Sequence, residues 1–310
     1  MNITIVIPCY NVAAHITEVI STIPPEIHTI IAVNDCSKDN TADILARLAE
    51  KENRLILLRH DKNGGVGAAM ITGYQKAMEM GADIIIKMDG DGQMDPAHIP
   101  ALLKPIRDGA ADFTKGNRFR DLKALRAMPL SRRIGNLGLS FMIKAASGYW
   151  NIFDPTNGFT AIRASLLSDV NLNRIHPRYY YETSLINELY YAGAVIQDIP
   201  MKARYGSEIS GLSRTKTLIE FPPRLLIAFL RRILLKYFLY EFTLASVYLL
   251  FGVPLFLYGC VFGVVNYIKY TGLQLPTPTG TIMIATLSIM LGFQFLLSAL
   301  SYDLNNYPKR

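Results

Sequence analysis

Two long stretches without any charged side chain dominate the C-terminal part of this 310-residue sequence. No charge occurs between Glu241 and Lys269, and none occurs between Lys269 and Asp303. A helix needs about 20 apolar residues to cross the hydrocarbon core of a bilayer. We therefore predict two membrane-spanning helices, at 242–267 and 279–302. The alternative is a pair of buried core helices, but both stretches are longer than ordinary core helices.

The formal net charge of +7 is concentrated in a short segment just before these stretches. Residues 1–201 carry 21 basic and 21 acidic side chains, whereas residues 202–236 carry 8 basic and 2 acidic ones. The neutral N-terminal part disfavours nucleic acid as a partner, because nucleic-acid binding needs a basic surface. The basic and apolar residues of 216–240 predict an amphipathic helix in the headgroup layer of a membrane. The alternative is a helix packed against the globular part.

Flanking basic residues predict the orientation of the chain in the membrane. Arg231, Arg232 and Lys236 precede the first apolar stretch, and Lys309 and Arg310 follow the second. Because such residues favour the cytoplasmic side, we expect the N-terminal part and both termini in the cytoplasm. The expected location is a cytoplasmic membrane such as the bacterial inner membrane. The N-terminus lacks a signal-peptide pattern, and the three scattered cysteines fit a reducing compartment.

The first hundred residues alternate short β-rich runs with helical patterns. The predicted strands are 3–7, 29–33, 55–58 and 84–86, and the predicted helices are about 12–23, 40–52 and 66–80. This alternation predicts an α/β fold, a Rossmann-like and mainly parallel sheet with helices on both faces. The predicted division is a catalytic domain at 1–215, the amphipathic region at 216–240 and a transmembrane domain at 241–310.

Two carboxylates and an amide follow the fourth predicted strand at alternate positions, as Asp89, Asp91 and Gln93. In an extended segment such positions share one side, and two neighbouring carboxylates repel each other unless a cation lies between them. Oxygen ligands in small number suit Mg²⁺ or Mn²⁺. The alternative is a polar turn before a helix, because Asp95-Pro96 has the pattern of a helix start.

Three segments in order resemble the family 2 glycosyltransferases of the GT-A fold. They are the opening strand and turn Val6–Asn11, the nucleotide-binding segment Asn34–Thr41, and the Asp-x-Asp segment Met88–Asp91. Within that family, the two apolar stretches, Asp91-Gly92-Gln93 and Gly116-Asn117-Arg118 resemble the polyprenyl-phosphate enzymes, such as the dolichyl-phosphate mannose and glucose synthases. The sequence departs from the pattern at Asn34, where many relatives have an aspartate.

The resemblance implies roles for particular residues. The nucleotide would be bound by Pro8, Tyr10, Asn11, Asp35, Asp39, Lys62, Gly65, Asp89 and Gly90. The metal, Mg²⁺ or Mn²⁺, would be bound by Asp89, Asp91 and Gln93. The acceptor phosphate would be bound by Arg118, Arg132, Arg133 and Arg204, and the acceptor side would include Asn157, Glu182 and Lys216. Among these, Asp89, Asp91, Arg118 and Arg132 are the expected catalytic residues.

The implied reaction moves a sugar from a UDP- or GDP-linked donor to a polyprenyl phosphate (undecaprenyl or dolichyl) at the cytoplasmic face, with inversion. A phosphate acceptor, with a second pKa of about 6, needs no general base. Glu182, where relatives with sugar acceptors often carry a base, is then either an orienting group or a helix N-terminal acid. A homo-oligomer is compatible with the sequence.

Three alternative functions differ in their sequence signatures. A reductase is disfavoured because Gly64-Gly65-Val66-Gly67 is followed by Met70, where a dinucleotide fingerprint has its third glycine. A membrane-bound transferase with a sugar or other lipid acceptor in polysaccharide synthesis is the second alternative. A processive polysaccharide synthase of this kind would normally carry a Gln/Arg-x-x-Arg-Trp motif, but the only Trp is Trp150, in Gly-Tyr-Trp-Asn. A non-enzymatic lipid-binding module would use the aspartates only as turn residues.

Overall fold

The computed structural model describes residues 1–118, 130–155, 157–202 and 214–310, and within them it leaves out the side chains of 130–134, 136 and 214–219. The chain forms two compact units. The globular unit comprises Met1–Ala228 with Pro308–Arg310, and the helical unit comprises Phe229–Tyr307. The predicted division into catalytic, amphipathic and transmembrane parts, at 215 and 240, stays a prediction.

A seven-stranded sheet forms the centre of the globular unit, with the strand order β3-β2-β1-β4-β6-β5-β7. The strands are β1 Ile3–Cys9, β2 Thr29–Asn34, β3 Leu55–Arg59, β4 Ile84–Lys87, β5 Phe113–Asn117, β6 Thr160–Arg163 and β7 Ile196–Pro200. All neighbours are parallel except β6, which runs antiparallel to β4 and β5. The start of β6 therefore lies at the same edge as the ends of the other strands.

Helices α1 Ile16–Ser21, α2 Thr41–Ala49, α3 Val66–Glu79 and α4 Ile99–Arg107 accompany the first strands of the sheet. They are followed by α5 Leu130–Ser147, α6 Tyr181–Tyr191 and α7 Arg214–Leu234, and α7 continues as a π-helical turn, Leu235–Tyr240. Buried apolar residues form two clusters, one built on Val6, Ile31 and Ile85 and the other on Ile5, Ile30 and Ile86. Because neighbouring strand residues alternate between the clusters, both faces of the sheet are buried. This confirms the predicted α/β class.

The structure corrects several predicted boundaries. The first strand does not end before Pro8, which pairs with Val33 of β2, because the β4 pairing already ends at Val6 and leaves no ladder bond for Pro8 to make on that side. Helix α1 begins at Ile16 rather than near residue 12. Helix α7, Arg214–Leu234, contains Pro222-Pro223 in its interior, and buried Phe221 contacts Tyr180 edge-on next to them.

The helical unit contains two long apolar helices, α8 Leu244–Gly272 and α9 Thr279–Asn305. Both are long and apolar enough to cross a membrane, and only 11% and 17% of their most apolar windows are buried, unlike a soluble core helix. The first helix starts and ends later than predicted, because Thr243 and Ser246 form a capping box and the helix continues past the apolar run.

The two apolar helices pack antiparallel through close glycine contacts. A Cβ on Gly252 would lie 2.9 Å from Phe295, and one on Gly292 would lie 2.5 Å from the Phe256 backbone. Such contacts let helix backbones approach closely in lipid. In the same unit, buried Arg232 forms a bidentate ion pair with Asp303, in which Nη1 and Nη2 donate to Oδ1 and Oδ2 at 2.7 and 2.8 Å. Arg232 is thus neutralised within the protein, although the sequence analysis counted it among the flanking charges.

Candidate active site

The carboxyl ends of β1, β2 and β4 meet at one edge of the sheet, and most of the predicted site residues lie there. Pro8 is the penultimate residue of β1, and Tyr10 follows it with 43% of its surface exposed. Lys62 is exposed in the loop after β3. Gly90 is buried, and a Cβ there would lie 3.3 Å from Val12. The topology explains this grouping, since parallel strands direct their following loops to the same side.

The turns after β1 and β2 hold each other through side-chain hydrogen bonds. Ser37 donates its hydroxyl to Asn34 Oδ1 at 2.6 Å and accepts the Asn11 amide at 3.1 Å. Asn11, in a left-handed conformation (φ 55°), accepts the Lys38 amide on its own side-chain oxygen at 2.8 Å. Asn34 therefore positions this turn, which gives a structural role to the residue that departs from the family pattern.

Asp39 closes the same loop. Its Oδ1 accepts the Thr41 hydroxyl at 2.6 Å and the Thr41 amide at 3.1 Å, and its Oδ2 accepts the Ala13 amide at 3.1 Å. Burial tends to raise the pKa of Asp39, but these hydrogen bonds outweigh it, and the pKa lies below its ordinary value. The carboxylate thus stays charged at the exposed rim of the loop.

Asp35 is almost fully buried, with 2% of its surface exposed, and it organises the glycine loop after β3. Its two oxygens accept the amides of Gly64 and Gly65 at 2.8 and 2.7 Å, and the His60 ring lies 2.8 Å from Oδ1. Both carboxylate oxygens therefore have partners within the protein. This geometry gives Asp35 a positioning role in addition to any contact with a ligand.

The same glycine loop is closed over by protein, which argues against a dinucleotide site. Gly65 has a φ of +93°, and a Cβ there would lie 2.6 Å from the Pro177 carbonyl. A Cβ on Gly67 would lie 2.2 Å from the His176 carbonyl, and the Ala68 amide donates to Pro177. The glycines allow segment 176–178 to pack here. The Ala68 amide at the start of α3 is therefore bonded to the Pro177 carbonyl and not available to a phosphate.

The acidic turn after β4 contains Asp89, Asp91 and Gln93, all partly exposed. The backbone N–H of Gln93 donates to Asp91 Oδ1 at 3.0 Å, and the backbone N–H of Asp89 donates to Met94 Sδ. The described residues contain no group of three or more His, Cys, Asp or Glu side chains arranged for a metal. Two carboxylates and one amide oxygen nevertheless fit a hard divalent cation that takes its remaining ligands from phosphates and water. The donor set therefore fits Mg²⁺ or Mn²⁺.

Lys87, the last residue of β4, is a site residue that the sequence analysis did not identify. Its side chain is 2% exposed, and its Nζ lies 2.7 Å from Asp89 Oδ1 and 3.5 Å from Glu182 Oε1. Burial would lower the pKa of Lys87, but attraction by Asp89 and Glu182 outweighs it and raises the pKa above its ordinary value. Glu182 lies in the first turn of α6, which is the place of the predicted helix N-terminal acid.

Arg118 follows β5 and is held by Asp154. Its Nε and Nη2 donate to the two carboxylate oxygens at 2.8 and 3.1 Å, and its amide donates to Oδ2 at 3.2 Å. The Arg118 side chain is 37% exposed, whereas Asp154 is fully buried. Of the other predicted phosphate-binding residues, Arg204 lies outside the described residues. Arg132 and Arg133 lie on α5 and Lys216 on α7, with side chains that are not described.

Asn157 and Gly158, which precede β6, pack against the buried lysines next to the site. Asn157 is buried, its Oδ1 accepts the Phe159 amide at 3.0 Å, and its carbonyl accepts the buried ammonium of Lys115. A Cβ on Gly158 would lie 2.3 Å from Lys87 Nζ and 2.9 Å from Asp89 Oδ2. The Asn157 side-chain oxygen therefore has a hydrogen-bond donor within the protein. The lack of a side chain at Gly158 leaves room for the Lys87–Asp89 pair.

Residues 4–170 match the family model described as glycosyl transferase family 2. The UDP-N-acetylglucosamine–dolichyl-phosphate N-acetylglucosaminyltransferase of Methanococcus voltae is 32% identical over 71% of this chain and 92% of its own length. The undecaprenyl-phosphate mannosyltransferase of Micrococcus luteus is 28% identical over 58% of this chain and 74% of its own.

Among solved structures, the fold is similar to that of glucosyl-3-phosphoglycerate synthase from Mycobacterium tuberculosis. The complex of that protein with Mn²⁺, UDP-glucose and phosphoglyceric acid has a TM-score of 0.53 and 19% identity, covering 74% of this chain and 79% of the other. Its complex with Mg²⁺ and UDP has a TM-score of 0.51. At this identity the likeness concerns the fold alone.

Proposed function

The chain belongs to glycosyl transferase family 2, and from that membership we propose that it moves a sugar from a nucleotide-diphosphate donor to a polyprenyl phosphate. The observation that carries the proposal is the shared sheet edge. There the acidic turn after β4 and the Asp154-held Arg118 after β5 offer groups suited to a diphosphate–metal complex and to an acceptor phosphate. The relatives from Methanococcus and Micrococcus, both named for polyprenyl-phosphate acceptors, support this choice of acceptor.

The donor would be bound by the loops after β1 and β2. Asn11, Ser37 and Asp39 already hold these loops in one conformation through their mutual hydrogen bonds. A binding loop ordered before the ligand arrives loses less conformational entropy on binding. We propose that Tyr10, Asn11 and Asp39 contact the nucleoside. UDP-N-acetylglucosamine is the first donor to test, because the relative with 32% identity is named for it.

Asp89, Asp91 and Gln93 would hold a divalent cation, Mg²⁺ or Mn²⁺. When bound, such an ion supplies positive charge to the diphosphate leaving group. The structures of the mycobacterial synthase with Mn²⁺ and UDP-glucose and with Mg²⁺ and UDP support this cofactor class.

Arg118 would hold the acceptor phosphate. An arginine presents a planar set of donors that matches phosphate oxygens, and Asp154 fixes the plane of this one. The acceptor oxygen is already anionic near neutral pH, so it needs positioning rather than deprotonation. The new bond to the anomeric carbon forms as the bond to the nucleoside diphosphate breaks, and the diphosphate leaves with the electron pair. Such a single displacement inverts the anomeric centre.

Glu182 favours a phosphate acceptor over a sugar acceptor. A sugar hydroxyl needs a base to accept its proton, and Glu182 is the carboxylate at the place where related enzymes carry one. Here its Oε1 faces the buried Lys87 ammonium at 3.5 Å. Glu182 is thus already paired with a cation of the protein, which suits a reaction without a general base.

The proposed location is a membrane, with the globular unit in the cytoplasm. Helices α8 and α9 would span the bilayer, and the apolar face of α7, which exposes Leu226, Ile227 and Leu230, would lie at its surface. We propose that the lipid acceptor reaches the enzyme from this membrane.

The test is a transfer assay on membranes that contain the full chain. Labelled UDP-N-acetylglucosamine, UDP-glucose and GDP-mannose are each incubated with undecaprenyl or dolichyl phosphate and Mg²⁺ or Mn²⁺. We expect one donor to give a lipid-linked sugar, and Asp91→Asn to remove the activity. Asp108→Asn, at an exposed carboxylate paired with Lys104, is the matched control. If every donor fails, or if Asp91→Asn retains full activity, the proposal is wrong.

A further inference from the structure

Lys87 occupies a position where a charged residue is costly. It ends β4 in the middle of the sheet, and its side chain is 2% exposed. Buried lysines without a partner normally lose their charge or destabilise the fold. Here two carboxylates from different elements face the ammonium, Asp89 from the acidic turn and Glu182 from the start of α6. The arrangement is a row of three charges, Asp89–Lys87–Glu182, in which the buried ammonium lies between two partly exposed carboxylates.

The contacts on this row restrict the Asp89 carboxylate. Lys87 donates to its Oδ1 at 2.7 Å. Gly158 packs beside the other oxygen so closely that a Cβ there would lie 2.9 Å from Oδ2. The backbone amide of Asp89 donates to Met94 Sδ at 3.2 Å. The carboxylate is therefore held in a fixed orientation, with one oxygen bound to Lys87.

The row also balances charge. Lys87 provides one positive charge between two negative ones, since its ammonium lies 2.7 Å from Asp89 and 3.5 Å from Glu182. Removing either Lys87 or Glu182 changes the local charge by one unit, but in opposite directions. In a partly buried site, one unit charge a few ångströms away changes the energy of a bound cation strongly. The two residues should therefore affect cation binding with opposite sign.

We propose that Lys87 is a positioning residue, which orients Asp89 and, together with Glu182, sets the charge of the cation-binding turn. This inference rests on the proposed function, because it assumes that Asp89 takes part in binding the metal. It predicts that Lys87 weakens metal binding by its charge while it improves transfer by fixing the carboxylate. A structural lysine that only filled space would produce neither effect.

The test measures Mn²⁺ binding directly, without acceptor. The purified full chain in detergent is titrated with Mn²⁺ in the presence of UDP, and the free ion is followed by electron paramagnetic resonance. We expect Lys87→Met to bind Mn²⁺ about three- to tenfold more tightly and Glu182→Gln about three- to tenfold more weakly. The double variant should lie within about twofold of wild type, since its local charge is restored.

Transfer activity supplies the second measurement. Lys87→Met should lower kcat about tenfold or more despite its tighter metal binding, and Lys87→Arg should recover part of it by keeping the charge. Lys104→Met, at an exposed lysine on α4, is the control and should leave both measurements unchanged. Melting temperatures establish that each variant is folded. If Lys87→Met does not fold, Glu182→Gln alone decides the question.

Two failures are distinguishable. If the wild-type chain binds no Mn²⁺ with UDP and transfers no sugar, the proposed function is wrong. If the wild-type chain binds Mn²⁺ but folded Lys87→Met and Glu182→Gln shift the affinity in the same direction, or not at all, the inference about Lys87 is overturned while the proposed function stands.

Discussion

Both oxygens of the fully buried Asp154 carboxylate bind the guanidinium of Arg118, which reaches the surface with 37% of its side chain exposed. Asp154 lies in the interior, and Arg118 lies at the edge of the sheet. A buried acid of this kind fixes an arginine in one orientation before any ligand arrives, and a guanidinium held in that way binds an anion with a smaller entropic loss.

Asp154→Asn tests this relationship. The amide keeps the shape of the carboxylate but loses its charge and one acceptor atom, so the guanidinium is no longer held by two charged bonds. We expect the KM for polyprenyl phosphate to rise about tenfold or more, with the KM for the nucleotide sugar changed less than about twofold. Steady-state assays with each substrate varied measure both values. Asp169→Asn, at an exposed carboxylate, is the control. An equal rise in both KM values would contradict the expected role.

Gly158→Ala tests the packing beneath the acidic turn. The new methyl group would lie 2.3 Å from Lys87 Nζ and 2.9 Å from Asp89 Oδ2, so one of these groups must move. We expect activity to fall about tenfold or more and the free energy of unfolding to drop by about 1–3 kcal/mol. Gly135→Ala on α5, where a Cβ would meet open space, is the matched control and should not lower stability. Unchanged activity in Gly158→Ala would show that the turn accommodates a side chain.

The buried pair in the helical unit predicts a non-additive pattern of stability. Arg232 and Asp303 form a two-pronged ion pair, and the Tyr237 hydroxyl also donates to Asp303. Breaking such a pair leaves one uncompensated buried charge, at a cost of about 3–5 kcal/mol. We expect Arg232→Met or Asp303→Leu alone to lower the thermal midpoint in detergent by about 5 °C or more, and the double variant to recover most of it. Additive losses, measured by circular dichroism, would contradict a paired role.

The sequence predicts the sheet edge but not the side chains that support it. Asp89, Asp91 and Gln93 were found because carboxylates after a buried strand form a local pattern. Lys87 was missed because a lysine at the end of an apolar run normally indicates where a strand reaches water. Only the packing of α6, distant in sequence, brings Glu182 to it. That packing is a tertiary contact, and no spacing along the chain encodes it.

The glycine loop after β3 is a local pattern whose meaning the sequence alone leaves open. Gly64-Gly65-Val66-Gly67 matches part of a dinucleotide fingerprint, which Met70 already disfavours, and the space beside Gly65 and Gly67 is filled by the backbone of His176 and Pro177. A glycine in a sequence indicates that another group approaches the backbone closely, but it does not indicate whether that group is a ligand or protein. In the same way, the antiparallel strand β6 could not be predicted, because its partners are set by a long connection.

The second buried lysine, Lys115 on β5, predicts a pH dependence of stability. Its side chain is fully buried and its ammonium donates to the Asn157 carbonyl. Burial lowers its pKa to about 8, although Asp154, Glu182 and Asp198 partly oppose this. An unfolded lysine has a pKa of about 10.4. Between these two values the folded chain has released a proton that the unfolded chain still holds, so the contribution of Lys115 to stability rises with pH.

Lys115→Met removes this ionisation while keeping an apolar side chain of similar length. We expect the variant to be stabilised most, relative to wild type, near pH 7, where folding must bury the charged ammonium. The difference between the two thermal midpoints should then fall progressively from pH 8 to pH 10, because other titrating groups cancel in the subtraction. Melting in matched detergent buffers at half-unit pH steps gives this difference. A difference that stays constant over that interval, or that grows, would show that the pKa of Lys115 is not lowered in the folded chain.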